Sequence, residues 1–240
     1  LCDRAMSLPA GYQAVAYIQS TGTQYINTGV VPGGAMAVEM DFTSTTVDSE
    51  VGLFGTGWNN NQYLLIVRGG YYLFYGAGNT LSSYTANTDY KVTTATNGTI
   101  TIDNETTGTS LSYPANLAYS GSSGLALFAD SGGGHKSRIK LRGMKIWQAD
   151  VLVRDFRPCY TNTGVAEIVG LYDVVQGAFY QNKGTGVFLR GDETENYLWI
   201  TGAPGEYGTP VCGSLTGYGG RPLTNGIEVA ASVPVVTGET

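Results

Sequence analysis

The stretch Ala37-Val38-Glu39-Met40-Asp41-Phe42 decides the fold class. Its even-numbered residues are apolar, and its odd-numbered residues are small or charged. Side chains of a β-strand alternate between the two faces of a sheet with this period of two, whereas a helix repeats every 3.6 residues. We therefore expect a strand that buries Val38, Met40 and Phe42 and presents Glu39 and Asp41 to solvent.

Strand signals recur along most of the chain. The apolar runs at 63–67 and 125–128 are typical of strands covered on both faces. Gly69-Gly70 predicts a tight turn, and Asn97-Gly98 predicts a type I′ hairpin, which needs positive φ angles at both positions. Many short strands at this spacing predict an all-β protein, a two-sheet antiparallel jelly-roll sandwich with a short β or irregular C-terminal segment.

One predicted strand contains a break in its alternation. Ile139 and Leu141 place the apolar face at odd numbers, but that face continues at Met144. A β-bulge at 142–143 restores the inward direction. The four cations in the first half of this strand share the opposite face: Lys136, Arg138, Lys140 and Arg142. This face is either a site for an anionic ligand or a solvated face whose cations pair with carboxylates of neighbouring strands, and we prefer the second interpretation.

The composition indicates an extracellular or cell-surface protein. Only 13% of the 240 residues are charged, while 35 are glycine and 17 are tyrosine, which suits solvent-exposed sheet faces. The net charge of −6 opposes binding to nucleic acid. No apolar run approaches the roughly 20 residues that span a bilayer. The N-terminus lacks signal-peptide regions, so we expect any targeting segment to have been removed.

The cysteines and the C-terminal part leave alternatives open. Cys2, Cys159 and Cys212 are too far apart for a Cys-x-x-Cys motif, and they allow either one disulfide or three free thiols. The acidic stretch 191–196 indicates a domain boundary. We divide the chain into an N-terminal extension, a core domain, and a linker that leads into a further β module or an assembly tail, at 1–8, 9–190 and 191–240.

Three stretches carry a family likeness, namely Tyr17-Ile18-Gln19-Ser20-Thr21-Gly22 with its continuation to Gly29, Val153-Arg154-Asp155-Phe156-Arg157-Pro158-Cys159-Tyr160, and the segment from Val169-Gly170-Leu171-Tyr172-Asp173 to Gly186. They resemble the laminin-G-like, concanavalin A-like jelly-roll domains of bacterial and phage surface proteins. The resemblance covers about residues 9–190 and implies two antiparallel sheets, of which the concave one often binds glycans. Residues 201–210 weakly resemble the start of repeated β modules in very large secreted bacterial proteins.

Related jelly rolls include endo-glucanases that use Glu-x-Asp-x-x-Glu as nucleophile, helper and acid. Glu39 and Asp41 match the first two positions, but Ser44 occupies the position of the acid. Without a second carboxylate at about 5 Å, a retaining mechanism has no proton donor. We therefore expect no catalytic residues and a protein that is not an enzyme, with a glycoside hydrolase as the least favoured alternative.

The binding motif that best suits a sugar is Trp58-Asn59-Asn60-Asn61-Gln62, since a ring stacks on the C–H face while amides match hydroxyls. Tyr72, on the following hairpin, extends this platform, and the glycine-rich loop 130–135 adds polar groups. The alternatives are a polar turn and a flexible hairpin. The predicted ligand-binding residues are Trp58, Asn59, Asn61, Tyr72, Asp130 and His135.

Related lectin-like folds often hold calcium through Asp and Asn oxygens. The chain has no Asp-x-Asp-x-Asp-Gly loop, so we expect no cofactor, with Ca²⁺ as the alternative. The sequence thus predicts a non-catalytic extracellular module for glycan recognition or adhesion, whose partner is a glycan or surface polysaccharide rather than nucleic acid or a membrane interior. The alternative is a structural building block of a surface assembly or filament in which residues 191–240 contact a neighbouring copy.

Overall fold

A computed structural model of the chain describes residues 8–194, apart from 34, 48–49, 58–62, 75–78, 116–120, 163 and 165. The described residues form seventeen β-strands and no helix. In chain order, the strands are β1 (Tyr12–Ala14), β2 (Ile18–Gln19), β3 (Ile26–Asn27), β4 (Met36–Ser44), β5 (Glu50–Gly55), β6 (Leu64–Arg68), β7 (Tyr71–Phe74), β8 (Asn79–Ser83), β9 (Asp89–Ala95), β10 (Thr99–Asn104), β11 (Thr109–Pro114), β12 (Ala126–Leu127), β13 (Ile139–Gln148), β14 (Val151–Thr161), β15 (Val169–Asp173), β16 (Ala178–Gln181) and β17 (Leu189–Arg190).

Two antiparallel sheets pack against each other. The large sheet has eleven strands, in the order β11-β10-β9-β4-β13-β14-β15-β16, with β1 beside β14, β2 beside β13 and β17 beside β2. The small sheet has six strands, in the order β3-β12-β5-β6-β7-β8. The all-β sandwich predicted from the sequence is confirmed, and it is compatible with a jelly roll.

The central strand β4 shows why this sequence forms a sandwich. Val38, Met40 and Phe42 are fully buried between the sheets, while Glu39 and Asp41 lie on the opposite face. The alternation that predicted the fold is therefore confirmed residue by residue. Burying each of these side chains contributes about 1.5–3 kcal/mol to folding.

The bulge predicted near Gly143 is present. The register of β13 against β4 shifts between Leu141 and Gly143, so Arg142 is the additional residue. After the shift, Met144 and Ile146 point back into the core and are buried. One extra residue thus reconciles the two phases of the sequence pattern without ending the strand.

The two predicted turns differ in type. Gly69 and Gly70 both have positive φ angles, 59° and 82°, and join β6 to β7 in a two-residue turn. At the other turn only Gly98 is left-handed, with a φ of 83°, and its N–H donates to the carbonyl of Ala95 at 3.0 Å. The type I′ prediction for Asn97-Gly98 is wrong, because this turn has three residues and needs a left-handed φ only at its last position.

Strand pairing continues past the predicted boundary at residue 190. The N–H of Ala16 donates to the carbonyl of Asp192 at 2.9 Å, and the N–H of Thr194 donates to the carbonyl of Ala14 at 3.0 Å. Leu8 is also buried, in a small apolar cluster on the outer face of the large sheet. Residues 191–194 therefore belong to the sandwich, while residues 195–240, with the predicted module or tail, lie outside the described residues.

Candidate binding cleft

The loop that carries the predicted sugar platform lies outside the described residues. Trp58, Asn59 and Asn61 therefore stay predictions. Both ends of the loop are held by one pair of residues: the N–H of Thr56 donates to the carbonyl of Tyr63, and the N–H of Tyr63 donates to Oγ1 of Thr56, each at 3.1 Å. This pair fixes the base of the loop at the C-terminal end of β5.

The structure does not place Tyr72 on a binding surface. Its side chain is 0% exposed and lies among the rings of Tyr84 and Tyr90, 5.2 and 5.4 Å away between centroids. A ring with no exposed surface cannot stack on a sugar, so the expectation for this residue is corrected. The exposed neighbour is Tyr71, which points to the outer face of the small sheet.

The loop 130–135 is held together by its own aspartate. Oδ1 of Asp130 accepts the N–H of Gly134 at 2.6 Å, and Oδ2 lies 2.9 Å from Nδ1 of His135. The backbone carbonyl of His135 accepts the N–H of Gly52, near the N-terminal end of β5. The predicted loop 58–62 starts from the other end of this strand, about 13 Å away at 3.3 Å per residue. Asp130 and His135 therefore lie at the opposite end of the small sheet from the base of that loop.

Of the four cations on the predicted basic face, the structure shows Arg142 paired with carboxylates of neighbouring strands. Arg142 donates to Asp41 at 2.8 Å and contacts Asp89 and Glu105 at 2.5 and 2.9 Å. The hydrogen bond from Thr43, followed by the contact with Arg142, lowers the pKa of Asp89. This cation is already surrounded by anions, and Lys140 lies over the ring of Tyr17 at 4.8 Å.

The residues that resemble a glucanase triad do not converge. Glu39 pairs with Lys91 at 3.1 Å, and Asp41 pairs with Arg142, both on the outer face of the large sheet. Ser44 points into the core, where its hydroxyl donates to the carbonyl of Thr88 at 3.1 Å. Because β4 runs without a bulge from Met36 to Ser44, a longer side chain at position 44 would not join the other two.

An open cleft of about 580 Å³ lies beside the start of β15 and the end of β16. Its apolar surface is unusually accessible, because Ile168, Val187 and Leu189 are 41%, 72% and 49% exposed. The glycines 184 and 186 form part of its wall. The full lining consists of Glu167, Ile168, Val169, Gln181, Asn182, Gly184, Gly186, Val187, Phe188, Leu189 and Arg190.

The cleft wall is rigid because it is bonded to the first of the three sequence stretches. The carbonyl of Thr23 accepts the N–H of Thr185 at 3.1 Å, and Nε2 of Gln24 donates to the carbonyl of Val187 at 2.9 Å. Oδ1 of Asn182 accepts the N–H groups of Tyr25 and Gly184 at 3.2 and 2.7 Å. These bonds fix a preformed wall rather than an adaptable loop.

The rim of the cleft is slightly acidic. Arg190 forms ion pairs with Glu167 and Glu193, and its guanidinium lies 4.4 Å from the centre of the Tyr160 ring. The hydroxyl of Tyr160 donates to Glu193 at 2.6 Å, and this bond raises the pKa of Tyr160. With two carboxylates around one cation, the group has a net negative charge.

Sequence reasoning did not identify this cleft. Its residues come from three segments, near 167–169, 181–182 and 184–190, and only the fold brings them together. The available signal is the Gly184-Thr185-Gly186 sequence, which belongs to the third family-like stretch but does not by itself indicate a cleft wall. The exposure of Val187 and Leu189, which would indicate a binding surface, cannot be predicted without the strand register.

The described residues thus form an all-β sandwich with an open cleft on its large sheet. The chain matches no protein-family model, and no curated protein matches its sequence. In the described part of the chain, no three His, Cys, Asp or Glu side chains are grouped so that they could hold a metal ion. Nor does that part contain a helix that could cross a membrane.

Proposed function

We propose that this protein is a non-catalytic binding module that recognises a glycan at a cell surface, and that the cleft between residues 167 and 190 is its binding site. The observation that carries the proposal is the combination of exposed aliphatic side chains with the exposed amide of Gln181 in one cleft. A sugar ring presents C–H and hydroxyl groups side by side, so it needs both kinds of surface.

The rim favours a neutral sugar over an acidic one. Arg190 is the one cation among the described residues that line the cleft, and it is already paired with Glu167 and Glu193. A carboxylate or sulfate on the ligand would have to compete with both. Binding of a neutral glycan would also depend little on salt, because no charge pair forms.

The ion pairs of Glu39 and Asp41, the two carboxylates that match the glucanase motif, support a function without catalysis. Glu39 and Asp41 each hold a cation on the outer face, away from the cleft. The jelly-roll resemblance of residues 9–190 supports the extracellular location. The two-sheet architecture agrees with a laminin-G-like or concanavalin A-like domain, which we propose as the family.

A structural building block is the second candidate function. The observation that favours it is the exposure of the edge strand β11, whose residues 109–112 are all accessible to solvent. Contacts made by residues 195–240 with a neighbouring copy belong to the same proposal.

Binding of the full chain to an array of neutral and acidic glycans tests the first proposal. Val187→Trp fills the mouth of the cleft with little risk to the fold, because Val187 is exposed, and it should abolish binding. Val151→Trp, at another exposed valine, is the matched control. Trp58→Ala separates the two candidate sites: a loss of binding only in this variant places the site in the 58–62 loop. Absence of binding to every glycan contradicts the proposal.

A further inference from the structure

The strand β11 forms one end of the large sheet. It pairs with β10 over six residues without a break in register, from Thr99 opposite Pro114 to Asn104 opposite Thr109. Among the described residues, β10 is the only strand it pairs with. Residues 109–112 are exposed whichever face they point to, so β11 extends beyond the cover of the small sheet.

The backbone groups on the outer edge of β11 can be assigned. The N–H of Ala115 donates to the carbonyl of Gly98, one step beyond the pairing of Thr99 with Pro114. Hydrogen-bonded pairs alternate along an antiparallel ladder, so Thr109, Leu111 and Tyr113 bond to β10. The N–H and C=O groups of the residues between them, Ser110 and Ser112, therefore point away from the sheet.

This edge lacks the features that usually prevent strand pairing. No residue from Thr109 to Pro114 is charged, and no bulge interrupts the pairing with β10. Pro114 is the single proline, and it occupies an outward position, where its missing N–H costs no bond to β10. Small serine side chains at 110 and 112 let another strand approach closely.

We propose that β11 pairs antiparallel with β11 of a second copy of this chain, about a two-fold axis at Leu111. In this register Ser110 of each copy lies opposite Ser112 of the other and exchanges both backbone hydrogen bonds with it. The outward N–H and C=O groups of Ser110 and Ser112 are then all satisfied. The two Leu111 side chains form the central non-hydrogen-bonded pair, in which side chains approach most closely.

The sequence of β11 favours a second copy as the partner, because it is complementary to itself. Centred on Leu111, it reads Thr-Ser-Leu-Ser-Tyr, so serine meets serine, leucine meets leucine, and Thr109 meets Tyr113. No like charges oppose each other, and threonine opposite an aromatic ring is a favourable pair. Leu111, which is 48% exposed, becomes covered by its own copy. An isologous contact of this kind closes at two copies.

The contact is small, so pairing is weak in dilute solution and strong where copies are held close together. A stable interface usually buries more than about 1,000 Å², and one strand pair buries less. Copies attached side by side to one surface experience a high effective concentration, which converts a weak contact into a persistent one.

Site-specific cross-linking tests the register in the full chain. In Leu111→Cys the two sulfurs face each other with Cβ atoms about 4.5–5.5 Å apart, close to disulfide reach. In the control Ser110→Cys the same residue is diagonal to its copy, at about 7–8 Å, beyond that reach. Under mild oxidation, we expect a dimer linked through position 111, identified by peptide mapping against the native cysteines, and at least tenfold less through position 110.

A pair of charge variants tests the same contact without cysteine. Lysine at both 110 and 112 places like charges opposite each other, whereas Ser110→Lys with Ser112→Glu places opposite charges in both symmetry-related pairs. Both variants lose the bond between Ser112 and Thr101 equally. We expect self-association by sedimentation to differ by roughly tenfold in favour of the mixed-charge variant.

Either of two results overturns the proposal. One is cross-linking through position 111 that is no faster than through position 110 in folded protein. The other is equal self-association of the two charge variants. A cross-link from position 111 to any other segment of a second copy also rejects the two-fold register.

Discussion

Arg154 and Asp173 form an ion pair in the interior of the sandwich, with 3.4 Å between Nε and Oδ2. Asp173 is fully buried, and its Oδ1 accepts the N–H groups of Asp155 and Val175, each at 3.0 Å. Nε of Arg154 also donates to the carbonyl of Thr28 at 3.2 Å. These contacts join all three family-like stretches at one corner of the sandwich.

Removing the cation of this pair should be strongly destabilising. Arg154→Ala leaves the buried carboxylate of Asp173 without a counter-charge, which lowers the free energy of unfolding by about 3–5 kcal/mol. Urea unfolding followed by tryptophan fluorescence measures this. The control is Lys91→Ala, which removes an accessible cation from its pair with the accessible carboxylate of Glu39 and should cost about 1 kcal/mol or less. Equal losses in the two variants would contradict the assignment.

Gly170 should be intolerant of any side chain. A Cβ at this position would lie 2.4 Å from the carbonyl oxygen of Tyr180 and 2.8 Å from the ring of Phe179. Gly170→Ala therefore forces β15 and β16 apart, and overpacking of this kind costs about 1–3 kcal/mol. Thermal unfolding measures the loss. Gly33→Ala is the matched control, because a Cβ there meets no atom within 4 Å, and it should leave the melting temperature nearly unchanged.

The parts of the fold that sequence could predict are those with local causes. The alternation in β4 and the phase break near Gly143 are properties of a few neighbouring residues, and both are confirmed. The direction of Tyr72 depends on its pairing with Val67 in the next strand. In the sequence, Tyr71 and Tyr72 are equivalent, and a shift of one residue exchanges their faces.

The candidate site escaped sequence reasoning for a similar reason. The wall of the cleft exists because residues 182–187 are bonded to residues 23–25, which are more than 150 positions away. Asp130 shows a related limit, because the hydrogen bonds of a side chain cannot be read from its residue type. Its carboxylate has the chemistry of a ligand group, but the N–H of Gly134 satisfies it inside its own loop.

The carboxylate of Asp89 should contribute to stability at neutral pH and lose that contribution in acid. Its pKa is lowered in the folded protein, first by the hydrogen bond from Thr43 and then by Arg142. The unfolded chain, with a pKa near 3.9, takes up the proton first as the pH falls. The contribution is complete above about pH 4 and disappears as the pH falls through the lowered folded pKa.

Two measurements check the role of Asp89. The difference in unfolding free energy between the parent and Asp89→Asn should shrink between pH 6 and pH 2. Thr43→Val should raise the pKa of Asp89, as followed by its carboxyl carbon signal in NMR. A difference that is independent of pH would show that Asp89 acts by packing and not by its charge.

Cys159 should be unreactive in the folded protein. It is a free thiol without exposed surface, and burial raises its pKa to about 12. At pH 8 only about one thiol in ten thousand is then ionised, and the thiolate is the reactive form. Iodoacetamide labelling with peptide mapping should leave Cys159 unmodified until urea unfolds the chain. Rapid labelling of Cys159 in native buffer would contradict its burial in the small apolar cluster with Leu8 and Tyr172.

Two buried tyrosines should respond in opposite directions to removal of a hydroxyl. The hydroxyl of Tyr63 lies 2.6 Å from Oγ1 of Thr94, whereas that of Tyr72 has no hydrogen-bond partner among the described residues. Tyr63→Phe removes this hydrogen bond and leaves Oγ1 of Thr94 with the N–H of Val38, at 2.9 Å, so it should lower the free energy of unfolding by about 0.5–1.5 kcal/mol. Tyr72→Phe removes an unsatisfied polar group and should raise it by about 1 kcal/mol. Both rings are fully buried, and both substitutions remove one hydroxyl. Urea unfolding of the two variants therefore compares a hydrogen-bonded hydroxyl with an unbonded one. A loss of stability in Tyr72→Phe equal to that in Tyr63→Phe would mean that the Tyr72 hydroxyl is bonded.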